Sequence, residues 1–81
     1  MIYRQKLSDG YVEVADGPCQ LRCSKKGTTL FVIHSTRYPE SNESSDFVVE
    51  GNGELQITLG SKPCFVKVSS EDYSEFSITE V

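Results

Sequence analysis

The sequence predicts an all-β domain, a small antiparallel β-sandwich or β-barrel-like fold of about seven to eight short strands. Three observations predict this fold. Apolar and polar residues alternate over short runs, turn residues interrupt these runs at intervals of roughly 8–12 residues, and no stretch of helical length carries apolar residues at helical spacing. The 81 residues fit one domain, spanning 1–81, with a thin core.

The first half of the chain contains four strand-like segments separated by turns rich in Gly, Pro, Asp and Lys. The predicted strands are 2–7, 11–14, 19–23 and 28–35. In the third strand the alternation places Cys19, Leu21 and Cys23 on one face. The segment 30–33 is apolar on both faces, which indicates a central strand covered on both sides, or a strand that crosses between two sheets.

The segment 36–46 differs from the rest in composition. It reads TRYPESNESSD and has no apolar period, which predicts a long exposed loop. Changes in the length of such a loop cost little closure entropy, so we expect a deletion within 39–45 to alter the free energy of unfolding by less than roughly 1 kcal/mol. Long loops in compact domains are often functional. The candidate interaction surface therefore consists of this loop's Tyr38, Glu40, Glu43 and Asp46, together with Tyr73.

The second half of the chain predicts the remaining strands. They lie at 47–50, 54–59, 64–68 and 76–81. Asn52-Gly53 separates the first two, and this dipeptide favours a type I′ turn, so the sequence predicts a β-hairpin there. Alternation then points Cys64, Val66 and Val68 inward.

Charge and hydropathy argue against several classes of partner. The net charge is −4, the isoelectric point is about 4.8, and the basic residues are scattered, so the chain lacks the positive patch that binds nucleic acid. No run approaches the roughly 20 apolar residues of a membrane-spanning helix. The first six residues turn polar at once, so we expect no secretory signal and synthesis in the cytoplasm.

The cysteines and the one histidine allow a metal site to be considered. Cys19, Cys23, Cys64 and His34 could be written as a Cys₃His zinc site. However, two cysteines four apart on a straight strand lie ~13 Å from each other, which is too far for one zinc ion. Buried core thiols are the better interpretation. A disulfide between Cys64 and either Cys19 or Cys23 stays an alternative, and no metal or cofactor is predicted.

No catalytic constellation is recognised in the sequence. His34 is followed by Ser35, but no G-x-S-x-G nucleophile elbow accompanies them. The acidic residues at 40–46 and 71–72 lie in polar, turn-like segments, whereas acid–base catalysis needs carboxyl groups whose pKa values burial has separated. We therefore predict that the protein is not an enzyme, that it has no small-molecule substrate, and that no residue is catalytic or cofactor-binding.

Three segments carry a family resemblance. They are DGPCQLRCSKKGTTLFVIHS, GELQITLGSKPCFVKVSS and the final FSITEV. In rhythm over residues 16–81, and with the Pro-containing loop between them, they resemble small virion proteins of tailed bacteriophages. The resemblance implies a structural role without catalysis, as a knob, decoration or head–tail accessory subunit. It also implies a location in the virion, with contacts to further copies of the chain or to other virion proteins.

Two other functions compete with this one. The chain could be a binding module that recognises a host or regulatory protein through the 36–46 loop, or a small enzyme centred on His34 and a cysteine. A specific oligomer would favour the structural subunit, and a monomer with an ordered loop would favour the binding module. Loss of a measured activity in His34→Ala would be the least that the enzyme hypothesis requires.

Overall fold

The computed structural model describes residues 2–15, 18–23, 27–50, 54–57 and 63–80, and in these ranges the prediction of an all-β fold is confirmed. Eight strands and one short 3₁₀ helix follow one another in these described ranges. They are β1 (Ile2–Gln5), the 3₁₀ helix (Leu7–Asp9), β2 (Val12–Ala15), β3 (Cys19–Cys23), β4 (Thr29–His34), β5 (Phe47–Glu50), β6 (Glu54–Ile57), β7 (Cys64–Val68) and β8 (Ser74–Glu80).

The strands form two four-stranded antiparallel sheets. The first sheet has the order β1-β8-β3-β6 and the second has the order β2-β7-β4-β5. Among the strands that the structure describes, most consecutive pairs lie in different sheets, and only β4 and β5 follow each other in the same sheet. The fold is therefore a β-sandwich, and its strand order is that of a jelly roll.

The described strands pair as the two arms of one folded-over hairpin. The ladders β1–β8, β2–β7, β3–β6 and β4–β5 pair the first strand with the last, the second with the next to last, and so on inward. Ile2 pairs with Ser77 and Thr29 pairs with Glu50, so both ladders are centred between residues 39 and 40. The 36–46 loop is the tip of this hairpin.

The predicted hairpin at Asn52-Gly53 is wrong in its pairing. The dipeptide lies outside the described residues, but β5 pairs with β4 in the second sheet and β6 pairs with β3 in the first. The two strands are therefore not partners. A turn-forming dipeptide predicts a bend in the chain. It does not predict whether the next strand pairs in the same sheet or in the other one.

The core lies between the two sheets and is built from the alternating residues. Leu21 and Phe76 of the first sheet and Leu30, Val32 and Val66 of the second are at most 2% exposed. The inward faces predicted for β3 and β7 are confirmed. Burial of such side chains contributes about 1.5–3 kcal/mol each relative to exposure, and this is the main stabilising term of the fold.

Candidate interaction surfaces

A second, smaller apolar cluster lies on the outer face of the second sheet. Tyr11, Ile33 and Phe65 are each at most 3% exposed, and Phe31 packs against them. These residues lie on β4, on β7 and just before β2. Side chains on an outer sheet face have so little solvent exposure only when another segment covers them. Here the covering segment is the 36–46 loop.

Two tyrosines fasten the loop to this cluster. The ring of Tyr38 meets the ring of Phe65 edge-on, with centroids 4.8 Å apart, and its hydroxyl donates to the backbone carbonyl of Tyr11. The Tyr11 hydroxyl in turn donates to the backbone carbonyl of Glu43 at 2.9 Å. Burial, and then the negative charges of Glu43 and Asp46, raise the pKa of Tyr11 above its ordinary value. The Tyr11 hydroxyl therefore stays protonated and able to donate.

A lysine and an aspartate hold the loop at further points. Lys67 Nζ donates to the carbonyl of Ser41 at 2.7 Å and lies 4.9 Å from the centre of the Tyr11 ring. At the end of the loop, the Asp46 carboxylate accepts the backbone N–H of His34 at 3.1 Å. The Asp46 N–H donates to the carbonyl of Val32 at 2.9 Å. The loop is thus anchored in its middle and at its junction with β5.

The expectation of a loop that only lies exposed on the surface is therefore wrong in one respect. The segment has no strand or helix and most of its side chains are exposed, as predicted, but Pro39 is buried and the loop completes the second apolar cluster. A polar composition hides this role because the loop contacts the cluster through the ring of Tyr38 and through backbone carbonyl groups. The signal in the sequence was the second apolar face of β4 and β7, where Ile33 and Phe65 need a cover.

The structure brings four of the five predicted surface residues together in the loop. Tyr38 is 59% exposed despite its two anchoring contacts, Glu40 is exposed, and Glu43 pairs with Arg37 at 2.9 Å. Asp46 is exposed and carries the hydrogen bond to His34 described above. The loop thus presents three carboxylates and one guanidinium, that of Arg37, on an anchored backbone.

Tyr73 belongs to a different surface. It precedes β8 and lies beside β1, where Arg4 Cζ is 5.1 Å and Lys6 Nζ is 4.9 Å from the centre of its ring. Two cations over one exposed ring form a basic and aromatic cluster at the edge of the first sheet. The sequence analysis grouped Tyr73 with the acidic loop. In the structure, Tyr73 lies beside cationic side chains of the first sheet, whereas the loop lies on the second sheet.

The sheet edges differ in how they are protected. β1 carries Arg4 and is followed by Lys6, and charged side chains discourage pairing with another strand. β2 has an irregular register between Glu13 and Ala15, which has the same effect. β5 pairs regularly with β4 over four residues and has no lysine, proline or bulge, and its one charged residue is Glu50 at the end of the strand. Its Phe47 and Val48 are 37% and 54% exposed.

The three cysteines are buried thiols, as the sequence indicated. Cys19, Cys23 and Cys64 are fully buried and not in a disulfide, and Cys19 Sγ lies 4.0 Å from Cys64 Sγ in sulfur–sulfur contact. Burial, and then the neighbouring Cys19, raise the pKa of Cys64 to about 12. Among the described residues no group of three or more His, Cys, Asp and Glu side chains could hold a metal ion.

Two surface depressions in the described part of the protein are lined by neither histidine nor cysteine. One is lined by Ile2, Arg22, Glu75, Phe76 and Ser77 on the first sheet, and the other by Lys6, Leu7, Ser8 and Glu71 near the 3₁₀ helix. Neither includes His34 or a cysteine. His34 itself lies at the end of β4, where its backbone pairs with that of Cys64.

Comparison of the chain with protein-family models, curated proteins and solved structures gives no match. In the described part of the chain no helix is long and apolar enough to cross a membrane. A functional interpretation therefore depends on the surfaces themselves.

Proposed function

We propose that this protein is a non-enzymatic structural subunit that acts through protein–protein contacts, and specifically a small virion subunit of the knob, decoration or head–tail accessory kind. The observation that carries the proposal is the β5 edge. An edge strand presents a row of backbone N–H and C=O groups that can pair with a strand of another chain. β5 combines such a row with two exposed apolar side chains.

The side chains of β5 suit pairing with a further strand. Val48 lies on the outer face opposite Phe31 of β4, and Phe47 pairs with Val32. Apolar residues therefore reach the open edge on both faces of the sheet. A neighbouring strand would satisfy the backbone groups and cover both side chains, which is the arrangement of β-strand addition.

The strand order gives the proposal a second support, by analogy of fold alone. Jelly rolls occur in viral capsid and lectin domains and in cupins, so the fold is compatible with a virion subunit without requiring one. A small domain with a thin core also gains stability from assembly. The resemblance to small phage virion proteins agrees with this role.

The first test is the mass of the protein in solution, measured by light scattering over a concentration series. We expect a defined oligomer at high concentration and its loss in Val48→Lys, because a lysine on the edge opposes strand pairing. Thr79→Lys is the matched control, since Thr79 is an exposed residue of the inner strand β8 and the substitution adds the same charge. An oligomer that persists in Val48→Lys, or a wild-type chain that stays monomeric throughout, would contradict the proposed contact.

The 36–46 loop favours a second candidate function, a module that binds a basic partner protein. The loop holds Glu40, Glu43 and Asp46 on a backbone that Tyr11, Tyr38 and Lys67 anchor. A surface that is already ordered loses little conformational entropy when it binds. Its charge complements a partner surface rich in Lys and Arg.

A titration with polylysine tests the second candidate. We expect Glu40→Lys to weaken binding more than Glu71→Lys, which changes the charge equally on an exposed residue outside the loop. The difference should shrink as salt is added, because the attraction is electrostatic. Equal losses in the two variants would show that only the net charge matters and would exclude a specific loop surface.

A further inference from the structure

Two buried sulfur atoms meet across the interface between the sheets. Cys19 is the first residue of β3 in the first sheet, and Cys64 is the first residue of β7 in the second. Both side chains are 0% exposed, and their Sγ atoms are 4.0 Å apart. The contact between these two sulfur atoms therefore joins the two sheets within the core.

We infer that Cys19 and Cys64 form a disulfide between the two sheets when the protein folds in the presence of a small disulfide oxidant such as glutathione disulfide, and that Cys23 stays a thiol. The inference is independent of the proposed function, because it concerns the core and not the β5 edge.

The local connection favours this pair. Ala15 of β2 lies opposite Cys64 in the second sheet, and only residues 16–18 separate it from Cys19 in the first sheet. The chain therefore changes sheet between Ala15, the residue opposite Cys64, and Cys19 itself. A disulfide needs the sulfur atoms about 2 Å apart, so the remaining approach is roughly 2 Å, and rotation about the Cα–Cβ bonds can supply part of it.

Cys23 is an internal control for this selectivity. It lies at the other end of β3, where its backbone pairs with Phe76, and a strand advances ~3.3 Å per residue, which places it ~13 Å from Cys19. Its side chain faces the core as Cys19 does, and it is equally buried. If burial alone selected the partners, Cys23 would compete for Cys64. If position along the strand selects them, only Cys19 pairs.

The reaction is two successive thiol–disulfide exchanges. The thiolate of one cysteine attacks a sulfur of glutathione disulfide, forms a mixed disulfide and releases one glutathione thiolate. The thiolate of the second cysteine then attacks the protein sulfur of the mixed disulfide and releases the second glutathione. The two protein thiols lose two electrons and two protons, and glutathione disulfide is reduced to two glutathione molecules.

Burial determines when this reaction occurs. In the folded protein no surface of either thiol is open to a reagent, and the high pKa of Cys64 leaves few thiolates to attack. The exchange therefore takes place before the sheets close, or after they open. A chain that has folded in one redox state keeps that state until it opens again.

The test is refolding of the full chain from denaturant in a reduced and oxidised glutathione buffer, followed by peptide mass mapping. We expect one cross-link, between the peptides that contain Cys19 and Cys64, and a free thiol at Cys23. We also expect Cys23→Ser to keep the cross-link and Cys19→Ser to lose it. A cross-link that includes Cys23, or three free thiols in refolded protein over the whole range of glutathione ratios, would overturn the inference.

Thermal unfolding provides a measurement that does not depend on any variant. We expect the oxidised wild-type protein to melt about 10 °C or more above the reduced protein, because the cross-link constrains the unfolded chain over a long loop. A melting temperature lowered by oxidation would show that the bond strains the sheets. That result would contradict the claim that the native spacing accommodates it.

Discussion

Tyr11 connects the sheet and the loop through two different atoms. Its hydroxyl donates to the loop at Glu43, and its backbone carbonyl accepts the hydroxyl of Tyr38. The ring itself is buried beneath Lys67. Tyr11 thus holds the loop against the sheet through one side-chain and one backbone hydrogen bond. A substitution can remove the side-chain hydrogen bond alone.

Removing only the hydroxyl isolates one of these contacts. We expect Tyr11→Phe to lower the free energy of unfolding by about 1 kcal/mol, the typical contribution of one hydrogen bond, with the ring left in place. Tyr73→Phe is the control, because that tyrosine is 52% exposed, and it should change stability by less than ~0.5 kcal/mol. Urea unfolding measures both values, and equal effects would contradict a specific role for the Tyr11 hydroxyl.

The buried thiol of Cys64 predicts a loss of stability in alkali. The unfolded chain releases this proton near the ordinary pKa of 9.0, whereas the folded chain holds it until about 12. Above pH 9 the unfolded state therefore binds fewer protons, and the free energy of unfolding falls as pH rises towards 12. The raised pKa of Tyr11 acts in the same direction.

Unfolding measured across this pH range should show a shallower decline in Cys64→Ala than in the wild type. The alanine also leaves a small cavity and lowers stability at every pH, so the comparison uses the slope and not the absolute value. Identical slopes would show that the Cys64 thiol does not titrate differently in the two states.

At the scale of elements, the 36–46 loop is a structural part of the outer face of the second sheet. It covers Phe65, and it receives hydrogen bonds from Tyr11 and Lys67. Loop-closure entropy, which alone suggested that the loop could be shortened freely, is a small term beside these contacts. The loop and the β5 strand that follows it share Asp46 as their junction.

We accordingly expect deletion of 39–45 to lower the free energy of unfolding by more than 1 kcal/mol, and by about 2–4 kcal/mol if the whole second cluster is uncovered. Glu40→Ala, which removes an exposed side chain but keeps the loop, should stay within ~0.5 kcal/mol of the wild type. Denaturant unfolding of the two variants measures the difference. A deletion variant as stable as the wild type would show that the anchoring contacts are energetically neutral.

The sequence predicted which residues form strands better than it predicted which strands pair. The alternation in Cys19–Cys23 and Cys64–Val68 identified both the strands and their inward faces, because a half-buried strand must alternate. Pairing depends on contacts between residues far apart in the chain, which no local pattern encodes. The acidic loop residues were found from composition alone, whereas Tyr11 was missed, since its burial depends on a cover supplied by residues about 30 positions later.

At the scale of the whole molecule, the first strand, β1, pairs with the last strand, β8. β8 lies between β1 and β3 in the first sheet, so this sheet is incomplete until the last strand has been placed. The long stretch of chain between β1 and β8 must lose conformational entropy before the pairing of these strands contributes any stabilisation. Topologies of this kind therefore fold slowly.

We therefore expect refolding on the scale of milliseconds to seconds, as for other all-β sandwiches. Stopped-flow dilution from denaturant, followed by tyrosine fluorescence, measures the rate. Ser77→Pro, which places a proline within β8, should abolish folding or slow it severely, whereas Ser44→Pro in an exposed part of the loop should not. Microsecond refolding would contradict the slow folding that this strand order predicts.

The near-symmetry of the folded-over hairpin about residues 39 and 40 has a consequence for how sequences of this kind can vary. In the β1–β8 and β4–β5 ladders each paired residue has its partner at the mirrored position on the other arm, as in Ile2 with Ser77 and Thr29 with Glu50. An extra residue inside one strand shifts the pairing by one position and turns that strand's apolar side outward. Insertions and deletions within the arms should therefore arise in compensating pairs at mirrored positions, or be absorbed in the crossovers between strands.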